Sequence, residues 1–244
     1  MDRNINATET ETDEITGKVA KKTLERFSPL CFFLVPMITV CANLKYVKNG
    51  QEAFSYFLFI LCDFFICVFL FTLLRCFFSP LSRKGPGKFF LFTSVGVLLD
   101  QVIKVVISFY GGSFYLLGKY VQISPTKNEN QMAVLNRFDI EIPGTIILVA
   151  KLILVFGILF VYFRFDRKNS DLKVKNQTGF VNMFFVLFLA AGISNFLDSA
   201  FWGYTLDYMR FWHLTVYDLK DFYVDAAIGG LVIWGIEKMG RKVV

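Results

Sequence analysis

Asp207 and Asp221 stand fourteen positions apart, within Gly203-Tyr204-Thr205-Leu206-Asp207-Tyr208-Met209 and Val216-Tyr217-Asp218-Leu219-Lys220-Asp221-Phe222-Tyr223-Val224. Each lies just outside the end of a very apolar segment, and the aromatic-rich stretch between them, Tyr208 to Lys220, is too short to cross a bilayer. If both flanking segments span, the two carboxylates come to one membrane face. Like charges held close at a low-dielectric boundary divide one proton between them. The ionised member can then accept a proton from water while the protonated one polarises a carbonyl, which is the chemistry of an aspartic peptidase. The same spacing also fits two solvated acids at helix ends, with Asp221 capping the last apolar segment.

Other polar groups interrupt the apolar sequence at helical spacing. Asp100 and Lys104 are one turn apart in Leu99-Asp100-Gln101-Val102-Ile103-Lys104, so they share a helix face and can pair. Asn195 and Asp198 share a face at the end of Gly192-Ile193-Ser194-Asn195-Phe196-Leu197-Asp198-Ser199, where Ala190, Ala191, Gly192 and Ser194 permit close helix approach. Pro125 to Ala133 is a polar turn whose amides, Asn128 among them, could hold a substrate backbone; a plain surface loop is the simpler reading. Asp63 and Lys151 sit inside apolar runs, where an ionisable group can mark a transport pathway. Isolated as they are, they read as packing or snorkelling features.

The elements that must position these residues belong in lipid. Of 244 residues 55% are hydrophobic and 18% aromatic, with 30 Phe, an apolar share above that of soluble domains. The +6 net charge comes without a compact basic stripe, which argues against nucleic acid. Cys31, Cys41, Cys62, Cys67 and Cys76 show neither zinc nor disulfide spacing, and the single histidine, His213, excludes a poly-His metal site.

Residues 1–27 form a polar tail, expected to be solvated and cytoplasmic. Six apolar spans follow, at about 28–44, 53–78, 89–110, 143–163, 180–197 and 222–236. The first has the flanks of a signal peptide, with Val40-Cys41-Ala42 as a cleavage-like site, and is read as an uncleaved anchor. Lysine and arginine gather in the tail, in 82–88, in 164–175 and after 236, which predicts six spans with both ends inside. That topology brings Asp100, Asp198, Asp207, Asp221 and the 111–142 connection to the outer face.

Taken in order, these segments resemble the bacterial signal peptidase II, or lipoprotein signal peptidase, family. Its Asp-Gln-x-x-Lys pattern matches Asp100, Gln101 and Lys104, and its Asn-bearing outer loop is similar to the region of Asn128. Its Gly-Asn-x-x-Asp-Arg motif matches Asn195 and Asp198. Gly-x-Val-Val-Asp-Phe matches Gly203, Asp207 and Tyr208, and Phe-Asn-x-Ala-Asp matches Tyr217 to Asp221. The resemblance covers roughly 89–240 and leaves the first two spans as an addition. The chain departs from the pattern at Ser199 (for Arg), Asp218 (for Asn), Lys220 (for Ala) and Asn130 (for Gly). Asp218 adds a third carboxylate beside the dyad, which should raise its neighbours' pKa unless Lys220 or Arg210 compensates. An alternative register would use Asp225 as the second acid; Asp221 keeps the flanking aromatic and aliphatic pattern.

The resemblance implies an all-α polytopic membrane protein: a four-helix core in 89–244, two added transmembrane helices and a basic loop in 28–88, and a small outer-face β element from 111–142. It implies an aspartic endopeptidase of the bacterial cytoplasmic membrane, active on its outer face. Its substrates would be diacylglyceryl-modified prolipoproteins, cleaved at the lipidated cysteine. Asp207 and Asp221 would be catalytic. Asn128 and Asn195 would orient substrate or dyad, Asp100, Lys104 and Asp198 would hold helix ends together, and Asp218 would lie beside the dyad. Neither metal nor cofactor is implied; the partners are substrate and membrane lipid, and a monomer is expected. Tyr110, Tyr115, Tyr120, Trp202, Trp212 and Tyr217 are expected at the interface. Two other readings remain open: a silent relative that binds lipidated signal helices, and a polytopic transporter or structural membrane protein.

Overall fold

Long runs of Leu, Ile, Val and Phe favour helix, because in lipid every backbone group must be satisfied within the segment. A computed structural model describes residues 28–43, 50–77, 85–129, 142–170, 177–212 and 215–240, and the apolar runs are helical in it. The polar tail 1–27, the loop position Asn130 and His213 lie outside the described residues.

The helices are α1 (Leu34–Asn43), α2 (Gly50–Phe77), α3 (Gly85–Tyr110), α4 (Gly144–Ser170), α5 (Gln177–Leu197) and α6 (Leu219–Gly240). A 3-10 turn, Ser28–Phe33, leads into α1. The change from 3-10 to α geometry falls just before Pro36, so this proline occupies a first turn, where its missing N–H costs nothing. Pro143 precedes α4, and its carbonyl accepts from the Ile146 and Ile147 amides at 2.9 and 3.3 Å.

Four described helical stretches are long and apolar enough to cross a membrane: Gly50–Phe77, Gly87–Tyr110, Gly144–Phe165 and Asn182–Trp202. The chain is a multi-pass membrane protein. Among the other two predicted spans, the first is a short apolar helix, and α6 is 22 residues long but carries Asp221 and Asp225. Exposed apolar side chains run in stripes of helical period: Leu91, Val95, Leu98, Val102, Val106 and Phe109 on α3, and Ile146, Val149, Ile153, Phe156 and Phe160 on α4. Such stripes are lipid-facing. The opposite stripes turn inward and contain the polar groups: Thr93, Val97, Asp100 and Lys104 on α3, and Ile147, Lys151 and Val155 on α4.

At the bundle's centre α5 packs on α3, α4 and α6. Small side chains make this possible: Ala190 and Ala191 are buried, and a Cβ at Gly96 of α3 would meet the Ala190 Cβ at 3.2 Å. The hydroxyl of Tyr223 on α6 donates to the Gly96 carbonyl at 3.1 Å, closing the third side. Phe32, Cys67 and Phe71 of the N-terminal segment enter the same core.

One end of the bundle carries a four-stranded antiparallel sheet in the order β1 (Phe114–Leu117), β2 (Val121–Asn128), β3 (Thr205–Phe211), β4 (Thr215–Tyr217). The sheet is larger than the sequence suggested. Only β1 and β2 come from the 111–142 connection; β3 and β4 are the stretch between the two aspartates, which reads as an excursion because its aromatic residues do not alternate cleanly. The β2–β3 register shifts between Ile123 and Thr126, where Pro125 has no N–H to give to a ladder. A second core, Val40, Tyr56, Phe59, Val121, Phe211 and Phe222, packs the ends of α1 and α2 against this sheet.

Candidate active site

The route from α5 to the sheet sets the first aspartate. A five-residue π-helical turn, Asp198–Trp202, ends α5, and Gly203 adopts φ 72°, the left-handed conformation that glycine reaches without a Cβ penalty. The chain then enters β3, so Asp207 sits on a strand and not at a helix end. Thr126 pairs with Asp207 and Asn128 with Thr205, which places Asn128 diagonally across from Asp207. Its Nδ2 donates to Asp207 Oδ2 at 3.4 Å.

The second aspartate is set by a reciprocal cap. Asp218 immediately precedes α6; its Oδ1 accepts the Asp221 amide at 3.2 Å, and Asp221 Oδ2 accepts the Asp218 amide at 3.1 Å. This is a capping box in which both partners are aspartates. The Tyr208 hydroxyl accepts the next free amide, that of Leu219, at 3.0 Å. Asp218 caps the helix as an asparagine would and helps fix the Asp221 rotamer; what it adds over the family's asparagine is a negative charge.

These caps bring Asp207, Asp218 and Asp221 together, each with a carboxylate oxygen within 4.8 Å of the others. Asp218 belongs equally to a second group with Asp100 and Asp198, again within 4.8 Å and fully buried. Lysines fill the spaces between. Lys104 Nζ donates to Asp100 at 2.7 Å and to Asp198 at 2.7 Å, and pairs with Asp218 at 2.8 Å, matching its three N–H donors with three acceptors. Lys220 Nζ pairs closely with Asp218 and lies 3.4 Å from both Asp198 and Asp207. Gln101 Nε2 donates to Asp198 Oδ1 at 3.0 Å. The carboxylates that could hold a divalent cation thus face ammonium groups instead.

Lys220, not Arg210, answers the extra charge of Asp218. The two departures from the family pattern sit two residues apart and bind each other, whereas the Arg210 guanidinium turns to the Thr126 hydroxyl at 3.2 Å. Burial pushes Asp218 up, but the ammonium groups of Lys220 and Lys104 outweigh it and hold its carboxyl below the usual range. Asp207 goes the other way. Burial, reinforced by the Asp218 charge, raises its carboxyl despite Lys220 and Asn128. The lysines thus favour the ionised form of Asp218, whereas burial favours the protonated form of Asp207.

Not every sequence candidate joins this network. Asn195 takes part through its backbone carbonyl, which accepts from Lys151 at 3.4 Å and from Ser199 Oγ at 3.2 Å; its side-chain oxygen has no hydrogen-bond partner among the described residues. Asp225, the alternative second acid, contacts the Tyr217 hydroxyl at 3.2 Å and Asp63, away from Asp207. Tyr217 accordingly packs inward between Phe59, Phe211 and Phe222, while Tyr110 and Tyr115 are exposed at the sheet end.

Lys151 is the residue that sequence reasoning undervalued. It is 3% exposed, so it does not snorkel, and its ammonium bonds the Ser199 hydroxyl. A cation from α4 therefore reaches the position at which the family pattern has an arginine. The signal was present in two places: a missing arginine and an unexplained lysine in an apolar span.

A family model described as signal peptidase (SPase) II matches residues 92–236. The fold is similar to that of a bacterial membrane enzyme solved by the in meso method at 2.3 Å, with TM-score 0.51 and 17% identity over 64% of this chain and 92% of that one. A second bacterial membrane enzyme, solved in the same way at 1.9 Å, aligns with TM-score 0.47 and 18% identity over 62% and 92% of the two chains. No curated protein matches the chain. The family match spans α3 to α6 with the sheet and every carboxylate of the site, and the chain belongs to the signal peptidase II family.

Proposed function

We propose that this protein is an aspartic endopeptidase that releases signal peptides from diacylglyceryl-modified prolipoproteins, cutting on the N-terminal side of the lipidated cysteine. The observation that carries this reading is the approach of Asp207 and Asp221 to within 4.8 Å at the junction of sheet and bundle. One proton serves the pair. The ionised member takes a proton from water as its oxygen attacks the scissile carbonyl carbon, and the protonated member donates to the carbonyl oxygen. The C–N bond then breaks as the leaving nitrogen receives a proton from the dyad.

Asn128 orients Asp207, Asp218 orients Asp221, and the buried Asp100, Lys104 and Asp198 lock α3 and α5 to the start of α6. Asn195 acts at the end of α5 through its backbone carbonyl, which holds Lys151 and Ser199, and its side-chain amide is left for substrate. The apolar signal helix and acyl chains reach the site sideways from the bilayer. The cation bias supports a site on the outer face, and in this reading the membrane is the bacterial cytoplasmic membrane, the protein acts as a monomer and the first two spans are a unit added to the catalytic core.

The test is conversion of a diacylglyceryl-modified prolipoprotein to its shorter form by purified protein in detergent. Product from the wild type and none from D207N or D221N supports the reading; intact substrate across a range of pH and lipid overturns it. One observation favours a second reading, a silent relative that binds lipidated helices: Lys220 Nζ lies 3.4 Å from Asp207 Oδ1 and could hold that carboxylate out of catalysis. Saturable substrate binding without cleavage identifies that case.

A further inference from the structure

Asp63 stands in the middle of α2, whose other carboxylate, Glu52, lies in the first turn, and it is wholly buried. Across from it stands Asp225 of α6, 6% exposed, with the two carboxyls in hydrogen-bonding contact. The groups around them are few. The Cys67 thiol donates to Asp63 Oδ1 at 3.4 Å, and the Tyr217 hydroxyl donates to Asp225 Oδ2 at 3.2 Å. No donor from another residue reaches Asp63 Oδ2, and no lysine or arginine pairs with either acid among the described residues.

Two ionised carboxylates in an apolar interior without a counter-charge would repel and would each bear a large desolvation cost. Two acceptors in contact need a proton between them, and that same proton satisfies the orphaned oxygen. The contact is also placed to matter. Asp225 lies one turn beyond Asp221 on α6, and Tyr217 directly precedes the cap Asp218, so the pair grips both flanks of the turn that carries Asp218, Lys220 and Asp221. One turn further on, Phe32 and Phe71 lodge against bare backbone: a Cβ at Gly229 would lie 2.3 Å from Phe32 Cδ1, and one at Gly230 would lie 2.7 Å from Phe71 Cε2. The 3-10 turn, α1 and α2 all lie outside the residues matched by the family.

We propose that Asp63 is a positioning residue: through a proton shared with Asp225 it fixes the start of α6, and the added N-terminal helices thereby set Asp221 against Asp207. The kinetic consequence rests on the peptidase reading; the shared proton does not. Asp63→Ala removes the bridge, whereas Asp63→Asn keeps a donor for the Asp225 carboxylate. In the prolipoprotein assay D63A should lower kcat by about ten- to a hundredfold, the effect of an ångström-scale displacement of a reacting group. KM should stay near that of the wild type, and D63N should restore most of kcat. A purely architectural role would lower the yield of folded protein and leave kcat per folded molecule unchanged.

Infrared spectra near neutral pH give the second measurement. The carboxylic-acid C=O band of the wild type should lose intensity in the double variant D63N/D225N, whose amides preserve size and hydrogen bonding. Unchanged kcat in folded D63A overturns the positioning role, and an unchanged acid band in D63N/D225N overturns the shared proton. If the wild type cleaves nothing, the peptidase reading fails, and the infrared measurement still decides whether the pair holds a proton.

Discussion

At the sheet end of the bundle, Asp100, Asp198, Asp207, Asp218 and Asp221 surround Lys104 and Lys220; one turn further along α6, Asp225 meets Asp63 with no cation beside it among the described residues. Both regions bury carboxylates in an environment that penalises charge, and they resolve the penalty differently. In the first, two ammonium groups stand among five carboxylates, and the surplus of negative charge favours a shared proton, which the proposed Asp207–Asp221 pair would use. In the second a proton alone does the neutralising, and the result is a contact between helices.

The sharpest way to break this comparison is at the dyad. D207N or D221N should reduce prolipoprotein cleavage by about 10²–10⁴-fold or more, with the thermal midpoint in detergent preserved because each change removes negative charge from a crowded site. The comparable change in the second region, D63N, should leave most activity intact.

Next in size is Lys104. Lys104→Met leaves Asp100, Asp198 and Asp218 without their shared cation and should cost about 3–5 kcal/mol of stability, read from thermal or denaturant unfolding in detergent. The proton-bridged pair has no such cation to lose, so D63N should cost far less.

The paired departures Asp218 and Lys220 give a finer test. D218N and K220A should each destabilise, and the double variant should recover about 0.5–3 kcal/mol relative to their sum, the range for charges in direct contact. K220A also has a kinetic signature. Lys220 holds the Asp207 pKa down, so its removal should move the acid limb of the pH–rate profile to higher pH.

The smallest expected effect is on stability against pH, and Asp218 and Asp207 act with opposite sign. Asp218, held below the unfolded carboxylate value near ~4, contributes stability that is complete above that value and lost as pH falls through its folded pKa. Asp207, raised in the fold, loses ground as pH rises through its folded pKa. Thermal midpoints followed from acid to neutral pH should show D218N with a flatter acid side than the wild type.

Much of this was legible along the chain. Apolar runs of spanning length, interrupted by basic loops, fix the helices; the faces that meet lipid, Leu91 to Phe109 and Ile146 to Phe160, emerge only from the structure, because the runs are apolar on nearly every side. Asp100 and Lys104 were readable as partners because four residues make one turn. The fate of the 205–217 stretch was not legible: its pairing partner β2 lies some eighty residues earlier, and aromatic residues without clean alternation give no register.

Sequence alone therefore determined the number and apolarity of the segments and which acids and lysines interrupt them, since burial in lipid is decided segment by segment. Only the tertiary structure decided which charges answer one another: Lys220 with Asp218, Lys151 with Ser199, Asp63 with Asp225. Electrostatic energy depends on distance and local polarity, and chain separation enters neither quantity.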